Sequence, residues 1–310
     1  MMREPLLIDD VDILATYAVQ VVGGGYNGLV QFPQLKKVDC VDWPEEDGVE
    51  PDLLSPVLAA KDSVAINFVC KDLSKYDAFL ALFYDGAYHE FNFKEIGVTA
   101  VLRLDSPGAQ IRRGTSMETF TLNFAFDASF TSGMVPYEGL NWPLTMAGEK
   151  MYFNEELLLF FVYEPGLNPF RVITVPSYGV SIGSKDICEY GMRPLDGFEG
   201  ELFKAAPIKK NVVIESQYTA GRSYPDTNVV RGAKDVTLPF LMMTDCPTSF
   251  WNAYLQLLAD LTSAGYKTLT YGGVARKFYY KSQQVLEFAK VRGNAMWCKF
   301  NLTLCFFEGD

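Results

Sequence analysis

The chain contains one histidine, His89, in 310 residues. That count excludes every metal site built on two imidazoles and leaves histidine acid–base chemistry a single place to occur. Cationic residues are scarce as well, with 27 Lys and Arg against 38 Asp and Glu, for a net charge of −11. Non-specific nucleic-acid binding needs cations to replace counterions, so specific or broad nucleic-acid binding is not expected. Long apolar runs are missing. Leu157 to Tyr163, bounded by Glu156 and Glu164, falls far short of the roughly twenty residues that span a bilayer. The stretch from Met1 to Asp10 has neither an apolar core nor a small-residue cleavage site. The expectation is a soluble chain made in the cytoplasm, with no membrane insertion.

The HExxH and CxxC metal-ligand spacings are absent too. None of the cysteines Cys40, Cys70, Cys188, Cys246, Cys298 and Cys305 forms a CxxC pair. They read as buried, reduced thiols that pack as small hydrophobes, without disulfides. A cysteine nucleophile paired with His89 stays open, although nothing in the sequence favours it. The loop Gly23-Gly24-Gly25-Tyr26-Asn27-Gly28 lacks the Lys and Ser or Thr of a phosphate-binding loop, and no helix is evident after it, so it reads as a turn or hairpin tip. The acids Asp9, Asp10 and Asp12, then Glu45, Glu46 and Asp47, and Glu155 with Glu156 read as solvated surface. Arg112-Arg113 and Lys209-Lys210 are isolated pairs. Trp43 and Trp142 could stack a sugar ring, whereas Trp251 and Trp297 fall in core patterns. No catalytic, cofactor-binding or metal-binding residue is assigned, and the chain is not expected to be an enzyme.

Apolar residues make up 49% of the chain and aromatic residues 14%, well above a disordered composition. At roughly 150 residues per domain the length suits two domains. An internal repeat supports that division. Val64 to Cys70 aligns with Val236 to Met242, and Tyr76 to Phe83 with Trp251 to Leu258. Gly97 to Arg103 parallels Gly273 to Tyr279, and Phe120, Leu122, Phe124 and Phe126 fall on Phe300, Leu302, Leu304 and Phe306. Ile8 with Asp12-Ile13 corresponds to Ile182 with Asp186-Ile187. Five blocks in one order, at offsets between 172 and 180, identify a tandem duplication.

Each copy is predicted to open with a strand, near Ile8 to Ala18 and Val180 to Met192. A long Gly- and Pro-rich stretch follows, then a strand (Asp62 to Cys70; Asp235 to Met243), one helix and two closing strands. Ser74 is predicted to cap the first helix, with Tyr76, Phe79, Leu80 and Phe83 as its apolar stripe. Thr248 or Ser249 is predicted to cap the second, whose stripe is Phe250, Trp251, Tyr254, Leu257, Leu258 and Leu261. In the last strand Cys298, Phe300, Leu302, Leu304 and Phe306 alternate with polar positions, the pattern of a half-buried antiparallel strand. The fold class is therefore α+β, mainly β: two tandem β-sandwich or barrel-like domains with one packed helix each. Residues 1–127 form the first copy, 128–176 a structured connector and 177–310 the second copy.

The repeat unit resembles the tail-tube-like domain of tailed bacteriophages, as found in distal tail proteins and baseplate hubs. In the second copy the resemblance is carried by Gly179-Val-Ser-Ile-Gly183 with Asp186-Ile187, and by Arg231 to Phe240. The helix from Phe250 to Ser263, Lys267 to Tyr271, and the final pair Arg276 to Tyr280 and Met296 to Phe306 complete it. The duplication departs from distal tail proteins, which carry one such domain, and is more similar to chains of which three supply a six-domain ring. The resemblance implies a structural role in a phage, prophage or phage-derived tail, self-association into a ring of three or six, contacts with other tail proteins, no cofactor and no catalytic residue. It also implies assembly into a virion tail or tail-like particle. Val21 to Pro33 and Ser216 to Thr227 are expected to project and to order on assembly. The alternative is a β-sandwich that binds carbohydrate or a host surface through loop Tyr and Trp.

Overall fold

Period-two alternation builds the long strands of this protein. The computed structural model describes residues 6–22, 24–112, 117–126, 175–209, 229–290 and 295–309, with short stretches between 127 and 174 and between 210 and 228. The first half begins with a hairpin of β1 (Leu6–Ile8) and β2 (Val11–Asp12), the one-turn helix α1 (Ile13–Tyr17) and β3 (Val19–Val21). There follow α2 (Asn27–Val30), the short pair β4 (Cys40–Val41) and β5 (Glu50–Pro51), and β6 (Lys61–Cys70). The helix α3 (Tyr76–Ala81), β7 (Tyr88–Phe93), β8 (Val98–Arg112) and β9 (Glu118–Phe126) close it.

Between the halves, β10 (Val135–Pro136) pairs with β8, and β11 (Leu144–Met146), β12 (Glu149–Asn154) and β13 (Leu159–Val162) form a small antiparallel sheet. The second half contains β14 (Val180–Ile182), β15 (Lys185–Asp186), a 3-10 turn (Ile187–Tyr190), β16 (Met192–Pro194) and α4 (Phe198–Leu202). After β17 (Ile214–Glu215) and β18 (Arg222–Ser223) come β19 (Lys234–Thr244), α5 (Pro247–Thr262), β20 (Lys267–Tyr271), β21 (Val274–Lys290) and β22 (Met296–Phe306).

The main sheets run β2-β1-β7-β8-β9-β6-β3 and β15-β14-β20-β21-β22-β19-β16. Exchanging each strand for its counterpart turns one order into the other, so the chain is mainly β and holds two tandem units of like topology. Each sheet curls into a half-barrel. The register repeats as well. Val64, Ile66 and Phe68 face Phe124, Leu122 and Phe120. Val236, Leu238 and Phe240 face Leu304, Leu302 and Phe300. Repeated sequence blocks are thus paired neighbours, which fixes which face of each strand is buried. A bulge lies between Leu104 and Ser106 in β8 and between Tyr280 and Ser282 in β21, against Phe124/Asn123 and Leu304/Thr303. An extra residue bends a strand and strengthens its twist, so a matched bulge gives the two sheets a matched bend.

The opening element of each copy differs from the expected single strand. Asp9 and Asp10 take left-handed φ angles of 48° and 65°, a conformation that short polar side chains tolerate, and reverse the chain between β1 and β2. Asp12 then accepts hydrogen bonds from the backbone N–H groups of Leu14 and Ala15 and starts α1. Asp186 caps the 3-10 turn in the second copy, where Glu189 completes a capping box. The helix caps also differ. Asp72 caps a 3-10 turn (Leu73–Lys75) ahead of α3, and Cys246 with Pro247 in the first turn precedes α5. All six predicted stripe residues of α5 are buried, as are Phe79, Leu80 and Phe83 of α3, while Tyr76 is half-buried. Trp251 is in the core, but Trp297 lies on the half-buried face of β22, because Met296 and Cys298 take the inward positions.

Candidate functional site

Among the described residues, a set of buried polar contacts lies where the halves meet. In α5 and β21, four side chains with hydrogen-bonding groups sit at nearly full burial: Trp251, Tyr254, Tyr280 and Gln283. Each bonds the backbone of the first half. Trp251 Nε1 donates to the Ile96 carbonyl (2.7 Å), the Tyr254 hydroxyl to the Val30 carbonyl (3.1 Å) and the Tyr280 hydroxyl to the Pro33 carbonyl (2.8 Å). Gln283 Oε1 accepts from the Phe32 N–H and from the Tyr254 hydroxyl, both at 2.8 Å. The Phe32 ring packs on Tyr254 with centroids 4.2 Å apart. Burying these groups unpaired would be costly, so they specify one docking arrangement as well as supplying contact.

The segment after α2 extends this contact as a strap. The Leu35 N–H donates to the Lys281 carbonyl, Gly48 to Arg231, Val49 to Phe307, and Gly265 to Leu53. Lys209 Nζ reaches the carbonyls of Trp43 and Glu46, each at 2.8 Å, and pairs with Asp42 at 2.5 Å. Asp47 Oδ1 accepts from the Arg231 N–H at 2.6 Å. Val21 to Pro33 was expected to project. Instead Val21 is paired with Phe68 in the first sheet, and Leu29, Val30 and Phe32 are buried, with the Phe32 ring packed on Tyr254 of α5. Ser216 to Thr227 falls largely outside the described residues.

From their place between the opening and the buried strand of each copy, Val21 to Pro33 and Ser216 to Thr227 are expected to be counterparts, and the bridges of the folded chain correct this. Leu35 bridges Leu58 and Ile208 bridges Arg231. The Lys36 N–H donates to Val57 as Lys209 does to Val230, and Ala59 to Gln34 as Gly232 does to Pro207. Residues 27–36 therefore correspond to 200–209. A lysine recurs in register with them. Lys61 Nζ donates to the carbonyls of Gly28, Leu29 and Gln31 at 2.5 to 2.9 Å, beneath the C-terminus of α2. Lys234 Nζ donates to Leu202 and Lys204, beneath α4. An ammonium there neutralises the negative end of a short helix. Burial lowers the Lys61 pKa to about 7. This device escaped the sequence reading, although Lys61 and Lys234 sit at the start of the two aligned strands.

The residues singled out from sequence take mostly structural positions. His89 is buried beside Phe83, with Nδ1 2.6 Å from Asp9 Oδ2 and Nε2 3.4 Å from Asp85, so its recorded partners are carboxylates and not a thiol. All six cysteines are free thiols. Burial raises Cys298 strongly and Cys305 to about 11, which leaves both protonated and poorly nucleophilic. The glycine loop is followed by α2, contrary to expectation, but four residues make only one turn. Trp43 is exposed on the strap, and Trp142 lies outside the described residues. Asp9, Asp12 and Asp47 each bind a backbone N–H, so they do more than solvate the surface. Glu155 and Glu156 lie outside the described residues.

Two open clefts lie among the described residues. One of about 460 Å³ is lined by Tyr178, Asp196, Phe198, Glu199 and Tyr271 among others, with the Tyr271 hydroxyl donating to Glu199. The other, of about 640 Å³, lies between the strap and the second sheet and includes Cys40, Tyr279 and Cys305. Among the described residues, no three His, Cys, Asp or Glu side chains converge as a metal cluster, and no helix is long and apolar enough to cross a membrane. Neither a protein-family model nor a curated protein matches this chain.

Proposed function

We propose that this chain is a structural, assembly-forming component of a phage, prophage or phage-derived tail, similar to distal-tail or baseplate-hub ring proteins. One observation carries the reading: two units of like topology meet through unlike faces. The first contributes α2, the segment after it and the β7–β8 turn, and the second contributes α5 and β21. A contact between unlike faces is heterologous, and repeating it generates rings when the rotation closes and filaments when it does not. The bulged, matched sheets and the acidic balance of −11 suit a tube-like ring whose interior repels nucleic acid. Size-exclusion chromatography with light scattering, followed by negative-stain microscopy, tests it. Rings of three or six chains are expected. A chain that stays monomeric at high concentration and instead binds immobilised glycans would overturn it.

A further inference from the structure

The contact between the halves uses one face of each unit, and among the described residues the counterparts of those faces are not covered in the same way. In the first half, Val30, Phe32 and Ile96 are at most 1% exposed because the second half covers them. The register relations above place Phe203 at the Val30 position, Ala205 at that of Phe32 and Ile208 at that of Leu35. The β20–β21 turn, Gly272 and Gly273, stands where Ile96 and Gly97 stand in the first half. There no described residue buries them: Phe203 is 57% exposed, Ile208 68% and Val274, next to the turn, 50%. The Phe203 ring is nevertheless held, with Arg276 5.2 Å over its face and the Tyr271 ring 6.2 Å away. An ordered apolar ridge left bare at a position that is buried in its own repeat marks an interaction surface.

The complementary face lies on the first half, where no described residue of the second half covers it. Matching bulges align Leu104 with Tyr280 and Pro107 with Gln283. Tyr280 and Gln283 are shut away under the first half, whereas Leu104 is half-buried and Pro107 exposed. Tyr76, at the position of Trp251, is half-buried as well.

We infer that the Phe203–Ile208–Val274 ridge of one chain docks on the Tyr76–Leu104–Pro107 face of a second copy, head to tail, reproducing between chains the contact made within each. This rests on the assembly reading above and names the two surfaces that carry it. Phe203 takes the place of Val30, and the Ile208 N–H, by analogy with Leu35 on Lys281, meets the carbonyl of Asp105. The new contact is more apolar than the internal one, since Leu104 and Pro107 replace Tyr280 and Gln283. It therefore carries fewer directional hydrogen bonds and suits a contact that forms after folding.

The test uses the full chain with p-benzoylphenylalanine at position 203, irradiated in solution and mapped by mass spectrometry. An inter-chain adduct to the segment bearing Leu104 to Pro107, or to Tyr76, is expected. Phe203→Arg and Val274→Arg, both at exposed positions, should weaken self-association at least tenfold in light scattering while circular dichroism is unchanged. Leu54→Arg, exposed on the strap, should leave association as it is. Assembly that persists in both ridge variants, or adducts that map elsewhere, would overturn these surfaces while leaving an assembling protein. A wild-type chain that is monomeric at every concentration would remove the assembly reading, and this contact with it.

Discussion

Trp251 donates its indole N–H to the Ile96 carbonyl across 2.7 Å, joining a helix of the second half to a turn of the first. The indole is fully buried, so no water replaces the bond when it is lost. Trp251→Phe keeps the ring packing against Phe250 and Tyr254 but strands a buried carbonyl. The expected cost is about 1–3 kcal/mol. Urea denaturation of the variant checks it; a midpoint equal to wild type would mean that the bond does not hold the halves together.

Tyr76 shows the opposite situation. Its hydroxyl is buried and finds no hydrogen-bond partner among the described residues, while its ring packs edge-on against Phe120 at 5.0 Å. Tyr76→Phe removes the desolvated group and keeps the ring. Stability should rise by about 1 kcal/mol, within the range that an unsatisfied polar group costs. A loss of stability in calorimetry would show that the hydroxyl is in fact bonded.

Gly48 lies where the strap crosses the end of β22, at φ 77°, with its N–H bonded to the Arg231 carbonyl at 2.7 Å. A Cβ there would overlap the Phe307 carbonyl, and the backbone angle alone disfavours an L side chain. Gly48→Ala should cost roughly 2–4 kcal/mol, or release the strap from the second sheet. Limited proteolysis should then cut within residues 36–57 faster than in wild type.

Lys61 links stability to pH. Burial holds its ammonium at about pKa 7, against an ordinary value of 10.5. Below pH 7 both folded and unfolded chains are protonated, and the cost of burying the charge is present in full. Between about 7 and 10.5 the unfolded chain binds more protons than the folded one, so this group makes stability rise with pH. Lys61→Met removes the titration. The wild-type advantage over Lys61→Met should therefore grow from pH 7 to pH 10 in paired urea titrations. A constant difference would mean that the carbonyls of Gly28, Leu29 and Gln31 keep the ammonium charged throughout.

Much of the fold was legible because it depends on local periodicity. The alternation in Cys298 to Phe306 and the helical stripe from Phe250 to Leu261 each report a buried face without reference to any neighbour. The five repeated blocks then implied two units of one kind, and the register of Val64 with Phe124 and Val236 with Leu304 follows the alignment. The short opening elements were less legible. Asp9, Asp10 and Asp12 act through side chain-to-backbone bonds over two or three residues, which apolar periodicity does not register.

The sequence alone determined that this chain is β-rich and duplicated, because side-chain alternation and internal similarity are properties of the chain itself. Only the tertiary structure decided what the Gly- and Pro-rich segment does. Leu29, Val30 and Phe32 carry no periodic signal and become a docking element only because α5 and β21, more than two hundred residues later, present Tyr254, Tyr280 and Gln283 to their backbone. A backbone carbonyl is the same in every sequence. Which side chain meets it is set by the folded arrangement, and so the same position can be covered at Val30 and bare at Phe203.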